Sequence, residues 1–223
     1  MSKTIHMISG LPRSGSTLLC NILAQNPEMH STPTSACHEA LFVLRNAWSE
    51  GHRTIDALIP KFTGAWYSWV EHRSDATAKA NYPIVAEAIV DAFRQMDKHV
   101  AMGLAESEDA KLFRVINATI KAYHNTERPV VIDKGRGWLS LIELAEFASS
   151  SKVKIIVPVR GIPQILSSFE KLHRKTQAKD QGNYFQAQTI QGRAEHLLGA
   201  EQVLGLAYNR LKDAMMRGLG DRL

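Results

Sequence analysis

The sequence has little of what marks secreted, membrane-spanning or metal-binding chains. It contains two cysteines, Cys20 and Cys37, among 223 residues, which argues against a disulfide framework and favours a reducing, cytoplasmic setting. We expect both to be small buried side chains. No apolar run reaches the ~18 residues of a membrane span, and the N-terminus lacks the apolar core of a secretory signal. Cysteines and histidines do not cluster at metal-ligand spacing, so no metal site is predicted.

Nothing in the sequence divides the chain, which has no repeat, low-complexity tract or linker rich in proline and glycine. With 44% hydrophobic and 22% charged residues, we expect one domain over residues 1–223. The net charge of +5 favours anionic partners such as nucleotides and phosphate or sulfate esters. The most basic segment, residues 171–179, has no nucleic-acid-binding motif beside it, so we expect no nucleic-acid partner. We interpret it as a solvated helix end, with the rim of an anionic pocket as the alternative.

Strand and helix patterns alternate along the chain. The predicted strands cover residues 4–9, 129–133 and 152–159, and the predicted helices cover 18–25, 140–150, 162–172 and 193–217, with irregular helical patterns from 38 to about 123. Asn26-Pro27 ends the first helix and Gly218 ends the last. Pro158 inside the third strand predicts a local distortion near Arg160. This alternation predicts an α/β fold with a parallel sheet covered by helices.

The segment Gly10–Thr17, GLPRSGST, lies between the first strand and the first helix. Such a loop presents unpaired backbone N–H groups and the positive end of the helix dipole. Gly15 allows close approach of an anion, and nearby hydroxyl groups add donors. The segment therefore predicts a phosphate-binding loop, the alternative being a turn that only caps the helix.

The loop differs from a Walker A motif at one position. Gly10, Gly15 and Thr17 match G-x-x-x-x-G-K-[ST], but Ser16 stands where the lysine is required. That lysine contacts the β- and γ-phosphates of a nucleoside triphosphate, so its replacement argues against ATP or GTP chemistry. Arg13 inside the loop offers a planar fork that can meet two oxygens of one anion.

PRSGST after a strand resembles the 5′-phosphosulfate loop of sulfotransferases that use 3′-phosphoadenylyl sulfate (PAPS). It is most similar to the bacterial and tyrosylprotein branch, whose loop has Arg where the cytosolic branch has Lys. The resemblance implies a three-layer, P-loop-NTPase-like sheet flanked by helices, with an acceptor-binding helical insertion over about 38–125. It also implies that the donor contacts Pro12, Arg13, Ser14, Gly15, Ser16 and Thr17.

A second match lies in VPVRGIPQILSSF. In the resembling family, an Arg at a strand end and a Ser eight residues later bind the 3′-phosphate, and here these are Arg160 and Ser168. Ser167 misses that spacing. The alternatives are a surface ion pair for Arg160 and a small packed residue for Ser168.

Sulfuryl transfer needs cations at the transferring group and a base for the acceptor proton, but no metal ion. Arg13 is the first candidate for the cation. Lys134 in DKGRGW is the second, because related enzymes have a lysine after the corresponding strand, and Arg136 is its substitute or an acceptor contact. An Asp133–Lys134 structural pair is the alternative.

For the base, the segment TSACHEALF at 34–42 offers Glu39 as first candidate and His38 as second. The resemblance implies a catalytic Glu here, although the spacing of Glu39 from Arg13 is longer than in the family. A helix-end Glu and a structural His are the alternatives. Four aromatic residues are candidates for an acceptor pocket or the core: Trp66, Tyr67, Trp69 and Trp138.

These observations predict a PAPS-dependent sulfotransferase that transfers a sulfuryl group to a hydroxyl or amine acceptor and releases 3′,5′-diphosphoadenosine (PAP). The alternatives are a P-loop kinase or other nucleotide phosphotransferase, and a non-catalytic PAP-binding remnant. The acceptor and a homo-oligomeric state stay open. The ending RGLGDRL resembles a helix stop followed by the start of another strand, so we expect the C-terminal part of the family to be missing, with an open sheet edge.

Overall fold

The computed structural model describes residues 4–33, 35–73, 76–104, 106–149, 153–176 and 187–223, and the side chains of residues 69–73, 76–78, 147–149 and 176 lie outside that description. The described strands are β1 (Thr4–Ile8), β2 (Met29–Thr32), β3 (Val130–Lys134) and β4 (Ile155–Ile156). The described helices are α1 (Ser16–Leu23), α2 (Cys37–Ser49), α3 (Ile55–Arg73), α4 (Ala76–Ala101), α5 (Glu108–Tyr123), α6 (Ile142–Ser149), α7 (Ile162–Thr176), α8 (Ile190–Leu198) and α9 (Val203–Met216). None of these helices combines the length and the apolar content that crossing a bilayer requires.

The four strands form one parallel sheet in the order β2–β3–β1–β4. Ile8 at the end of β1 pairs with Lys134, and Thr32 at the end of β2 pairs with Asp133. The carboxyl ends of these strands therefore meet at one edge, where open α/β sheets bind ligands. The predicted α/β class is confirmed, with a P-loop-NTPase-like parallel sheet flanked by helices and a helical insertion between β2 and β3.

Side chains alternate across β1 and so reach two separate cores. Ile5 and Met7 face the main core, which is built with residues of α2–α6 and α9. Ile8 faces the other side, where it packs with Cys20 of α1 and Ile132 of β3. Helices thus cover both faces of the sheet, and α1 is fixed directly beneath the loop that precedes it.

Two strands differ from the sequence prediction. β2 was not predicted, because Met29–Thr32 is four half-buried residues with no apolar alternation. β4 is only two residues long, whereas a strand over 152–159 was expected, and residue 152 lies outside the described residues. The strand ends before Pro158, in line with the expected distortion. Gly10 packs against this segment so closely that a Cβ there would lie 2.6 Å from the Pro158 carbonyl oxygen.

The predicted helix over 193–217 is two helices, α8 and α9. The end of α8 packs tightly on Gly205, where a Cβ would lie 2.1 Å from the Gly199 carbonyl oxygen. The apolar pattern continues through this break, so the sequence did not reveal it. Gly218 has a φ of 74° and ends α9 as predicted. The strand expected near residue 223 is wrong, because residues 219–222 form a 3-10 turn and Leu219 is buried in the main core.

Candidate functional site

The loop between β1 and α1 has two residues with positive φ. Gly15, at the N-cap of α1, has a φ of 96° and receives no side-chain cap, so the first backbone N–H groups of the helix keep their donor capacity. Arg13 has a φ of 60°, a conformation that is uncommon outside glycine and is found at functional sites. The Ser14 hydroxyl donates to the Leu11 carbonyl oxygen at 2.6 Å and is thus engaged within the loop.

A crevice of about 560 Å³ opens above this loop. This volume lies within the usual range of small-molecule sites, roughly 300–1,000 Å³. Four of its lining residues are cationic and none is acidic, so its potential favours an anion. The lining residues are Ile8, Gly10, Leu11, Pro12, Arg13, Gly15, Ser16, Thr17, Lys134, Gly135, Arg136, Arg160, Ser168, Phe169, Leu172 and Val203.

Arg13, Arg160 and Ser168 meet on one side of the crevice. The Arg13 Nε donates to the Ser168 Oγ at 3.0 Å. The Arg160 Nη1 donates to the Arg13 carbonyl oxygen at 3.1 Å. The two motifs therefore share one crevice, and Arg160 is turned towards the loop. No sequence pattern indicates this direct contact between the Arg13 side chain and Ser168, which are 155 residues apart.

Lys134 lies on the other side of the loop, at the end of β3. Its Nζ donates to the Thr17 Oγ1 at 3.1 Å and to the Pro33 carbonyl oxygen at 2.6 Å. Because β3 pairs with β1, the ammonium group is brought to the first turn of α1. Gly135 and Arg136, which follow Lys134, also line the crevice.

Glu39 and His38 do not line the crevice in the described structure. Both belong to the first turn of α2, where the Glu39 Oε2 lies 2.8 Å from the His38 Nδ1. His38 is buried against the back of the loop after β3, and a Cβ on Gly135 would lie 2.2 Å from its Nδ1. Gly135 is therefore required by close packing against His38.

The aromatic candidates for an acceptor pocket lie elsewhere. Trp138 is fully buried and its Nε1 donates to the Asp133 Oδ1 at 2.5 Å, so its assignment to a pocket is wrong. Trp66 is buried in the main core, and its ring packs at 5.4 Å from that of Phe62. Tyr67 is exposed, and the side chain of Trp69 lies outside the described residues.

Asp133 is the centre of a buried hydrogen-bonded network that the sequence analysis missed. The Ser35 Oγ donates to its Oδ2 at 2.5 Å, and the His124 Nε2 lies 3.1 Å from the same oxygen. Asp133 and His124 are 0% and 2% exposed. The position of an acidic residue at the end of an apolar strand indicates a buried carboxylate that needs partners. The sequence does not identify those partners, because they come from distant parts of the chain.

Donor atoms of Cys37, His124 and Asp133 lie within 4.8 Å of one another, the arrangement of a small metal site. No cluster was expected from the sequence because the three residues belong to separate segments. The Asp133 carboxylate already accepts hydrogen bonds from Ser35 and Trp138. A metal ion at this cluster would therefore have to share the Asp133 oxygen atoms with both of these donors.

Both cysteines are free and buried. Burial raises the pKa of the Cys20 thiol and raises that of Cys37 well above its ordinary value, which keeps both in the unreactive thiol form. We expect neither to react rapidly with Ellman's reagent in the native protein and both to react after denaturation in guanidinium chloride. Rapid stoichiometric labelling of either thiol in the folded protein would contradict this account.

The stability of the protein should depend on the ionisation of Asp133. Burial acts to raise the pKa of this carboxyl group, but the adjacent His124 and the hydrogen bonds from Ser35 and Trp138 outweigh it and lower the pKa. A folded-state pKa below the unfolded value of about 3.9 stabilises the protein above that pH, and the contribution is lost as the pH falls further. We expect the stability difference between wild type and Asp133→Asn to narrow from pH 6 to pH 3. Equal differences in denaturant unfolding at both pH values would count against this role.

Comparison with known proteins agrees with this geometry. The profile of the sulfotransferase family matches residues 7–217, which include the loop, Lys134, Arg160 and Ser168. No curated protein matches the chain, and no solved structure matches it. Because the matched region covers most of the chain, this protein belongs to the sulfotransferase family.

Proposed function

We propose that the crevice binds PAPS and that the protein transfers its sulfuryl group to a hydroxyl or amine acceptor. The observation that carries the proposal is the meeting of Arg13, Arg160 and Ser168 beside the first turn of α1. PAPS has two anionic ends on one ribose, and a crevice with two adjacent anion-binding regions is complementary to such a ligand.

The 5′-phosphosulfate end fits the N-terminus of α1. Gly15, Ser16 and Thr17 line the crevice, and no side chain caps the start of α1 at Gly15. They offer donors to phosphate oxygens, and the helix dipole favours negative charge there. Pro12 shapes the loop, and Ser14 contributes through its bond to Leu11.

The ribose 3′-phosphate fits Arg160 and Ser168. The Ser168 Oγ accepts from the Arg13 Nε, so the hydroxyl proton can still be donated to a phosphate oxygen while Arg13 stays bonded. The terminal N–H groups of the Arg13 guanidinium are then proposed to reach the sulfuryl oxygens. The apolar side chains of Phe169, Leu172 and Val203 on the same wall offer a surface for the adenine ring.

In the proposed reaction, the acceptor oxygen or nitrogen attacks sulfur in line with the bridging oxygen. The new bond to sulfur forms while the bond between sulfur and the bridging oxygen breaks, and PAP leaves with the electron pair. Arg13 and Lys134 stabilise the charge that develops on the sulfuryl and bridging oxygens. The acceptor proton passes to a general base.

Glu39, whose Oε2 lies 2.8 Å from the His38 Nδ1, is the proposed base, and because neither residue lines the donor crevice, the acceptor would have to approach from the side of α2. Positioned general bases contribute roughly 10²–10⁴-fold to the rate, so Glu39→Gln should slow transfer by about that factor while leaving PAP affinity unchanged. The measurement is transfer of label from PAPS to an acceptor found by screening hydroxyl and amine compounds. Glu50→Gln, at the exposed end of the same helix, is the matched control. Full activity of Glu39→Gln would contradict its role as the base, and His38→Gln would then test the second candidate.

Calorimetric titration of the purified protein with PAP, and separately with ATP and Mg²⁺, tests the proposal. PAP is expected to bind at least tenfold more tightly, because the loop lacks the Walker lysine and Arg160 has no phosphate partner in ATP. Equal affinities, or a preference for ATP, would favour a phosphotransferase instead. Tight binding of PAP with no transfer to any acceptor would favour a non-catalytic binding protein.

A further inference from the structure

We propose that Asp133 is a positioning residue that holds Lys134 in place against the loop. Asp133 itself is fully buried and lies outside the crevice lining, so it would act through other groups. The positioning of Lys134 by Asp133 is independent of the proposed function. Its expected effect on PAP binding rests on the proposed function, in which Lys134 contacts the donor.

Asp133 fixes the segment that precedes α2 through its hydrogen bond with Ser35. Its Oδ2 accepts from the Ser35 Oγ, and the same Oγ accepts from the Cys37 backbone N–H at 3.0 Å. The adjacent Ala36 N–H donates to the Tyr123 hydroxyl at 2.8 Å. Ser35 thus links the carboxylate to the start of α2 through hydrogen bonds that are entirely buried.

That segment is in turn joined to Lys134. The Lys134 Nζ donates to the carbonyl oxygen of Pro33, two residues before Ser35, and to the Thr17 Oγ1. A displacement of Ser35 would move the Pro33 carbonyl oxygen and weaken a contact that orients the Lys134 ammonium group. On the other side of Lys134, the Trp138 Nε1 bond to the Asp133 Oδ1 fixes the turn that leaves β3.

The network requires a carboxylate rather than an amide. Ser35 and Trp138 donate to the two Asp133 oxygens, because an ionised carboxylate only accepts, and the His124 Nε2 lies 3.1 Å from the Oδ2. The side-chain amide introduced by Asp133→Asn would turn an N–H group towards one of these donors and leave a buried polar group unpaired. The substitution therefore disturbs the network with almost no change in side-chain volume.

A double-mutant cycle on PAP affinity tests the proposal by calorimetry. Lys134→Met is expected to weaken PAP binding roughly tenfold or more, as expected for loss of a charge-assisted hydrogen bond. Asp133→Asn should cause a similar loss in the wild-type background and almost none in the Lys134→Met background, because residues that act through one group are not additive. Additive losses, or no loss on Asp133→Asn, would overturn the proposal.

A second readout does not depend on PAP. Acetylation of the intact protein followed by mass spectrometry reports the reactivity of Lys134 relative to Lys111, whose Nζ is bonded to Glu108. We expect Asp133→Asn to raise this ratio several-fold. An unchanged ratio would overturn the proposal, whereas a raised ratio without any PAP binding would sustain it and contradict the proposed function instead.

Two controls separate positioning from simple destabilisation. Thr119→Val removes a buried hydroxyl that donates to the Val115 carbonyl oxygen within α5, and it should lower stability while changing neither readout. Trp138→Phe removes a single donor to Asp133 and should give part of the Asp133→Asn effect, which keeps the proposal testable if Asp133→Asn fails to fold. Stoichiometric metal in wild type that is lost in Asp133→Asn would replace the hydrogen-bonded account by a metal site.

Discussion

Replacing Arg160 by Ala should weaken PAP binding by about 1.5–3 kcal/mol, the range of a charge-assisted hydrogen bond, or roughly 10- to 150-fold in Kd. The guanidinium is turned towards the loop, where its Nη1 bonds to the Arg13 carbonyl oxygen. The variant loses the contact proposed for the 3′-phosphate. It also loses the hydrogen bond from Arg160 to the Arg13 carbonyl oxygen, which helps to hold the loop. Calorimetric titration with PAP and with adenosine 5′-monophosphate separates these effects, because only PAP carries the 3′-phosphate.

The ratio of the two affinities is the informative quantity. In the wild type PAP should bind much more tightly than the monophosphate, and in Arg160→Ala the two should approach each other. Arg94→Ala, which removes an exposed arginine paired with Asp91 on α4, is the matched control. If Arg160→Ala prefers PAP over the monophosphate as strongly as the wild type does, Arg160 does not bind the 3′-phosphate.

Arg13→Gly should reduce sulfuryl transfer by roughly 10²–10³-fold, the typical effect of removing one preorganised donor from a transferring group. The same substitution should keep the stability of the protein or raise it. At its φ of 60° a non-glycine residue is strained by about 1–2 kcal/mol, and glycine removes that strain. A side chain retained in a strained loop at the expense of stability is the pattern expected of a catalytic residue.

Two measurements are needed for this variant, the transfer rate with labelled PAPS and the melting temperature. A fall in both would indicate that Arg13 holds the loop together through Ser168. Ser168→Ala is the matched comparison, because it removes the same hydrogen bond and leaves the guanidinium in place. Full activity of Arg13→Gly would exclude Arg13 from the chemistry.

The loop could be predicted from the sequence because neighbouring residues carry all of its physical requirements. A short apolar strand, a glycine and adjacent hydroxyl residues are consecutive, and the structure has a strand at Thr4–Ile8, an N-cap at Gly15 and a helix at Ser16–Leu23, two residues earlier than the predicted helix over 18–25. Arg160 and Ser168 were found through the family spacing. No local pattern would have shown that they reach the loop across the sheet edge.

Other parts of the site depend on contacts between distant segments. The network at Asp133 needs Ser35 and His124, which follow different elements, so no spacing in the sequence indicates it. The sequence does not predict β2, because an edge strand of four residues has too few positions to show an alternation of apolar and polar side chains. Glu39 and His38 are base candidates through the resemblance to the family, which carries no information on packing, and His38 packs against Gly135 behind the crevice.

A crystal structure of the protein with PAP tests the central claim most directly. We expect the 5′-phosphate within hydrogen-bond distance of the backbone N–H groups of Gly15–Thr17 and the 3′-phosphate within that distance of Arg160 and Ser168. A PAP molecule bound outside this crevice, or with its 3′-phosphate turned away from Arg160, would contradict the account.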